Sequence, residues 1–127
     1  MPLTILIIEN FYFLRLALRR QLELLFPGVR VIEADTPTEV LALVQLNAPQ
    51  IVIIDIGLTG SVGLKGVKYL KNIIPLAMVV VLTGYKDDIH WADASAAGAD
   101  ACIAKATICT EFPLILTRLV QLQATCE

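Results

Sequence analysis

The sequence is poor in the residues that build zinc sites and disulfide frameworks. It has one histidine, His90, and three cysteines, Cys102, Cys109 and Cys126, whose spacing matches no metal-binding motif. An odd number of thiols also argues against a disulfide-stapled secreted scaffold. We therefore expect neither a structural zinc ion nor a disulfide framework.

Long apolar runs and concentrated basic charge are missing as well. Lys, Arg, Asp or Pro interrupts every apolar stretch before the roughly 18 residues that a membrane span needs. The start, Met1-Pro2-Leu3-Thr4, lacks the basic leader of a secretory signal. The net charge is −2 and the basic residues are scattered, whereas nucleic-acid binding requires a basic footprint. We predict a cytoplasmic chain that binds neither membrane nor nucleic acid directly.

Apolar residues are what the sequence has in excess. They make up 57% of the 127 residues, above the roughly 45–50% of ordinary soluble domains. Such a composition favours strands that are covered on both faces. A chain of this length can bury a core without staples, and we predict that residues 1–127 form a single domain.

Apolar runs of strand length alternate with segments of helical period, which is typical of repeated βαβ units. Strands are predicted at 4–8, 29–33, 50–55, 77–83 and 100–104. Helices are predicted at 11–26, 36–47, 63–73, 86–97 and 110–124. This alternation predicts an α/β fold with a doubly wound, five-stranded parallel sheet.

Polar side chains lie at the ends of four predicted strands. Glu9 and Asn10 follow the first, Asp55 ends the third, Thr83 ends the fourth and Lys105 follows the fifth. Because ligands of open α/β sheets bind at the carboxyl ends of strands, we expect these side chains to share one rim. Each of these residue types is also common in ordinary turns. Their occurrence together at four strand ends indicates a functional site. Carboxylates select a hard cation such as Mg²⁺, and an Asp can attack phosphorus while a hydroxyl and an ammonium stabilise the phosphoryl oxygens.

Four motifs contain these residues: Leu6-Ile7-Ile8-Glu9-Asn10, residues 54–63, Val81-Leu82-Thr83-Gly84, and Ala97-Gly98-Ala99-Asp100 leading to Lys105. Together they resemble the receiver domain of two-component response regulators, closest to the branch often joined to a helix-turn-helix output domain. The resemblance covers essentially the whole chain. It implies the strand order 2-1-3-4-5 of flavodoxin-like and chemotaxis receivers, with five helices.

The resemblance also implies a role for each polar residue. Asp55 matches the phosphoacceptor that a sensor histidine kinase phosphorylates, Thr83 matches the switch hydroxyl, and Lys105 matches the lysine that contacts the phosphoryl group. Residues that match the family's Mg²⁺ ligands are Glu9, Asn10, Asp55 and the backbone carbonyl of Gly57. The implied function is signalling rather than enzymatic. An output domain or partner protein would contact the face of the fourth helix, fifth strand and fifth helix, and a homodimer is compatible with the apolar content.

Three positions depart from the family pattern. Asn10 replaces a second acid, and losing a charge-assisted contact of roughly 1.5–3 kcal/mol would weaken Mg²⁺ binding about ten- to a hundredfold. Cys102 replaces an aromatic switch residue, for which Tyr85 is the nearest substitute ring. Ala106 replaces a proline that follows a cis peptide; a cis bond before Ala costs about 2.5–4 kcal/mol, so we predict a trans bond or a strained loop. These departures leave open a degenerate receiver that acts by association without phosphorylation.

Readings from other classes fit less well. A flavodoxin-like module that binds a phosphate ligand at the same rim would need a Gly-rich loop after the first strand. The chain instead has Glu9-Asn10-Phe11-Tyr12-Phe13 there. A hydrolase working through an aspartyl phosphate would need a second acid close after Asp55, and the sequence has none suitably placed.

Overall fold

Strands and helices alternate along the chain in the computed structural model, which describes residues 3–35, 39–55, 61–84 and 88–125 and, for 61–63, 88–90 and 124–125, their backbone only. The strands are β1 (Thr4–Ile8), β2 (Arg30–Ala34), β3 (Ile51–Asp55), β4 (Met78–Thr83) and β5 (Ala101–Ala104). The helices are α1 (Tyr12–Leu25), α2 (Val40–Asn47), α3 (Ser61–Ile73), α4 (Asp88–Ala97) and α5 (Ile108–Thr125).

The strands form one parallel sheet in the order β2-β1-β3-β4-β5. This confirms the predicted fold class and strand order. Because every strand runs in the same direction, all carboxyl ends lie at one edge of the sheet. In the middle of the sheet β3 pairs with β1 on one side and with β4 on the other.

The two faces of the sheet carry separate halves of the core. Successive side chains of a strand point to opposite faces, so Ile5 and Ile7 of β1 pack against α1 and α5, whereas Leu6 and Ile8 pack with α2, α3 and α4. β3 divides in the same way, and its residues Ile51 to Ile54 are at most 1% exposed. This two-sided burial explains the high apolar content of the sequence.

Most element boundaries fall within two residues of their predicted positions. α1 ends at Leu25 and is followed by Gly28, which has a φ of 88°. Glycine adopts this left-handed conformation at little energetic cost. α2 ends at Asn47 and is capped by Ala48, as predicted from Ala48-Pro49. Its predicted start and Thr36-Pro37 cap lie outside the described residues, where 36–38 are not placed.

α5 begins two residues earlier than predicted, at Ile108, directly after a single 3-10 turn that spans Lys105–Thr107. Ile108 lies one turn before the buried Phe112 and packs against the same core cluster, so the apolar periodicity of α5 extends to its first turn and the predicted start was two residues late. Among the described residues, no helix has the length and apolar character needed to cross a membrane.

Candidate functional site

The predicted polar residues that the structure describes lie along one edge of the sheet. Asp55 is the last residue of β3, and Thr83, the last residue of β4, follows Leu82, which is the register partner of Asp55. Glu9 comes directly after β1, and Lys105 directly after β5. The parallel sheet therefore collects side chains that are far apart in sequence.

Lys105 and Asp55 are in direct contact. The Nζ atom of Lys105 donates to Oδ2 of Asp55 at 2.6 Å, across 50 positions of sequence. The Asp55 side chain is 5% exposed and that of Lys105 is 31% exposed. A charge-assisted bond of this length is stronger than a neutral one, and it joins a nearly buried carboxylate to a partly exposed ammonium. We call the site formed by Glu9, Asp55, Thr83 and Lys105 the pocket.

Glu9 has an unusual electrostatic environment. It is 1% exposed, and its Oε1 accepts from the amide of Phe11 at 3.0 Å. Burial raises the pKa of Glu9 to about 7, the Phe11 amide opposes the rise, the neighbouring Asp55 carboxylate adds to it and Lys105 opposes it. The described residues offer no hydrogen-bond partner to its other oxygen, Oε2. A carboxylate held in this state requires a proton or a cation.

The carboxylates of Glu9 and Asp55 fit a hard divalent cation. Mg²⁺ is commonly bound by one or two carboxylates and completes its octahedron with water or phosphate oxygens, and the buried, unpaired Oε2 of Glu9 supplies a ready ligand. The described residues contain no larger cluster of His, Cys, Asp and Glu that could hold a metal. The site is thus leaner in acids than a dedicated all-protein cage.

The remaining predicted ligands are Asn10 and the backbone carbonyl of Gly57. Asn10 is exposed at the beginning of the loop after Glu9, and its amide brings no charge to the pocket. Gly57 lies outside the described residues, as does Tyr85. For these residues the predicted roles stay predictions.

The other departures from the family pattern have clear structural outcomes. Cys102 is buried in the core beneath α4, at 4% exposure. The described residues contain no cis peptide, so the bond between Lys105 and Ala106 is trans, as expected for a non-proline residue. A trans bond still allows Lys105 to reach Asp55.

Arg15 is a residue of the site region that sequence reasoning missed. Its Nη1 donates to the backbone carbonyl of Glu9 at 2.9 Å and also to the carboxylate of Asp35. An Arg on an amphipathic helix gives no signal in sequence beyond an ordinary surface charge. Only the folded chain shows that it reaches back six positions to Glu9.

The family model for the response regulator receiver domain matches residues 5–113. The chain belongs to this family. No curated protein matches the chain significantly. Recognition of the receiver family from four short motifs is thereby confirmed.

Solved structures agree with this assignment. A response regulator from Thermotoga maritima superposes with a TM-score of 0.85 at 21% identity, covering 95% of this chain and 99% of that one. The signal receiver domain of a DNA-binding response regulator from Colwellia psychrerythraea 34H gives 0.82 at 27% identity, with 94% and 98% covered. A response regulator from Burkholderia pseudomallei, solved with a phosphorylated aspartic acid, calcium ion and citrate, gives 0.75 at 27% identity, with 97% and 72% covered.

Proposed function

We propose that this receiver domain accepts a phosphoryl group on Asp55 from a partner histidine kinase, with Mg²⁺ held by Glu9 and Asp55. The observation that carries the proposal is the meeting of three side chains: the Asp55 carboxylate at the end of β3, the Lys105 ammonium 2.6 Å from it, and the buried Glu9 carboxylate. The Burkholderia pseudomallei relative with its phosphorylated aspartic acid supports the same chemistry.

The side chains divide the chemistry among them. An Asp55 oxygen forms the new bond to phosphorus as the phosphorus–nitrogen bond of a phosphohistidine breaks. Lys105, which already contacts the carboxylate, stays beside the transferred group and neutralises part of its charge. Thr83 is buried at the end of the adjacent strand and donates its hydroxyl to a phosphoryl oxygen. Bound Mg²⁺ supplies further positive charge to the phosphoryl oxygens.

The signal would leave the pocket through β4 and its following helix. Thr83 ends β4, and α4 packs against α3 and β5 on one face of the sheet. A phosphoryl group that draws the Thr83 hydroxyl inward pulls on this segment, and the surface of α4, β5 and α5 then changes its affinity for a partner. Phosphorylation of one residue in this way alters the partner-binding surface.

The proposal is tested with small phosphodonors. The protein is incubated with millimolar Mg²⁺ and either acetyl phosphate or phosphoramidate, whose phosphorus–nitrogen bond mimics phosphohistidine. Intact mass should increase by one phosphoryl group in the wild type and in Asp93→Ala, an exposed carboxylate of α4 used as control, but not in Asp55→Ala. An adduct that survives Asp55→Ala would show that another residue is the acceptor.

A degenerate receiver is the second candidate, favoured by the exposed, neutral Asn10 and by the small, buried Cys102. In this function the domain recognises its partner in one constant conformation. The absence of any adduct on the wild type at millimolar metal, with either donor, would support it over phosphorylation.

A further inference from the structure

Arg15 holds the turn that connects β1 to α1. Its side-chain Nη1 donates to the carbonyl of Glu9 at 2.9 Å, and its backbone amide donates to the carbonyl of Phe11 at 3.0 Å. The side chain is 15% exposed. A single residue thus contacts both ends of the turn that carries the acidic side chain.

The backbone of Glu9 is consequently bonded on both sides. Its amide donates to the carbonyl of Ala34, the last residue of β2, at 3.1 Å, while its carbonyl accepts from Arg15. Rotation of the Glu9 backbone would break at least one of these bonds. The direction of the Glu9 side chain therefore depends on Arg15 as well as on the sheet.

Arg15 is itself firmly anchored. Its guanidinium pairs with Asp35, its Nε lies 3.4 Å from Oε1 of Glu33, and its Cζ lies 5.8 Å from the centre of the Tyr12 ring. These contacts come from β2, from the residue that follows it and from α1. A planar guanidinium held in this way has little freedom left to lose when it bonds to a carbonyl.

The pocket needs such a support because the Glu9 carboxylate would be better solvated if its side chain rotated out into water. A buried carboxylate that faces Asp55, with one oxygen unpaired, is better solvated outside the pocket. Asn10 supplies no second negative charge, so the cation-binding geometry depends on where Glu9 is held.

We propose that Arg15 is a positioning residue, whose bond to the Glu9 carbonyl keeps the Glu9 carboxylate directed at Asp55. The part of this inference that concerns Mg²⁺ rests on the proposed function. The part that concerns the turn does not, because the contacts that hold the turn join protein atoms only.

Arg19 provides a matched control for the test. It lies one helical turn further along α1 and bonds to Glu33 at 2.8 Å, with its Nε 3.7 Å from Glu23. Arg15→Met and Arg19→Met each remove one guanidinium and one contact to Glu33 while they keep most of the aliphatic stem. Arg15→Lys is the rescue variant, because one ammonium can replace the single Nη1 atom that bonds to both Glu9 and Asp35.

Two measurements separate positioning from general stability. Amide hydrogen exchange of Phe11, the donor to Glu9 Oε1, is followed by NMR without metal, and Mg²⁺ affinity is followed by chemical-shift titration. Arg15→Met should speed exchange and weaken Mg²⁺ binding by on the order of tenfold, the effect of one lost charge-assisted bond. Arg19→Met should match the wild type in both, and Arg15→Lys should recover most of the loss.

Equal effects of Arg15→Met and Arg19→Met on Phe11 exchange would overturn the inference. If the wild type binds no Mg²⁺, the proposed function fails, yet the exchange comparison still decides the role of Arg15. If Arg15→Met does not fold, Arg15→Gln and Arg19→Gln replace the two Met variants: faster Phe11 exchange in Arg15→Gln than in Arg19→Gln supports positioning by Arg15, and equal exchange in the two overturns it.

Discussion

At the scale of single residues, Glu9 is the side chain whose charge state matters most. Its pKa is raised to about 7, first by burial and then by Asp55, so the folded protein holds a proton that the unfolded chain releases at a lower pH. Binding more protons in the folded state means that the free energy of unfolding falls as pH rises. This decrease in the free energy of unfolding takes place between the ordinary pKa of Glu and about pH 7.

Replacing Glu9 with Gln should remove this pH dependence. In metal-free buffer, the wild type should lose up to about 3 kcal/mol of unfolding free energy between pH 5 and pH 8 through this group, since one pKa unit corresponds to about 1.4 kcal/mol. Glu9→Gln keeps an acceptor for the Phe11 amide and should lack that decline. Urea unfolding at several pH values measures both, with Glu23→Gln, an exposed carboxylate, as control. The same slope in wild type and Glu9→Gln would contradict the assignment.

Asn10→Asp should restore the missing acid of the pocket. We expect Mg²⁺ affinity to rise roughly tenfold, at the lower end of the range for a charge-assisted contact because position 10 is exposed. The metal-free protein should become slightly less stable, since a third carboxylate joins Glu9 and Asp55. Calorimetric titration with Mg²⁺ reports the first effect and thermal unfolding the second. An affinity unchanged by the substitution would mean that Asn10 does not face the cation.

The site shows what sequence can and cannot predict at this scale. Asp55, Thr83 and Lys105 were identified from their positions at strand ends, and parallel pairing guarantees that such ends meet at one edge. The contact of Arg15 with Glu9 could not be predicted, because it depends on the path of a long side chain rather than on periodicity. The burial of Glu9 was equally hidden, since a residue just after a strand is usually exposed.

At the scale of elements, the end of α2 is the most strained point among the described residues. Ala48 has a φ of 45° and is the one non-glycine residue there with positive φ. It closes α2 by donating its amide to the carbonyl of Val44 at 3.0 Å. The left-handed conformation costs a residue with a Cβ about 1–2 kcal/mol, whereas glycine adopts it freely.

Ala48→Gly should therefore stabilise the protein by about 0.5–1 kcal/mol, after the greater freedom of glycine in the unfolded chain is subtracted. Ala42→Gly, at an exposed position inside the same helix, is the matched control and should destabilise by about 1 kcal/mol. Chemical denaturation of the two variants gives opposite signs if the conformation at Ala48 is left-handed in solution. Destabilisation by both would argue that it is not.

Element boundaries were predicted where the chain has strong local signals. Gly28 and Pro49 ended α1 and α2 as expected, because glycine and proline act through their own backbones. The start of α5 was missed by two residues, although Ile108 in its first turn packs on the same core cluster as Phe112. Glycine and proline therefore mark helix ends in the sequence more reliably than the spacing of apolar residues does.

At the scale of the whole molecule, the sheet is most protected at its centre. β1 and β3 pair on both sides, and their residues from Ile5 to Ile7 and from Ile51 to Ile54 are almost fully buried. β2 is an edge strand whose residues Arg30 to Glu33 are exposed or half-buried. Opening of the core should therefore begin at β2 rather than at β3.

Hydrogen exchange followed by NMR should show this order. Amides of β3 should exchange only through global unfolding, with protection close to the full unfolding free energy, whereas those of β2 should exchange faster through local opening. Ile32 and Ile53 are a suitable pair, since both amides bond within the sheet and the two residues differ in burial. Equal protection of the two strands would mean that the sheet opens as one cooperative unit.

The long separation between Lys105 and Asp55 has a practical consequence. Their contact spans 50 positions, and Glu9 comes from yet another segment, so a chain caught midway through refolding has no assembled pocket to react. If Asp55 is the phosphoacceptor as proposed, labelling by a small phosphodonor during refolding would count only molecules whose β1, β3 and β5 have already docked. The time course of labelling would then report the rate at which the sheet is completed.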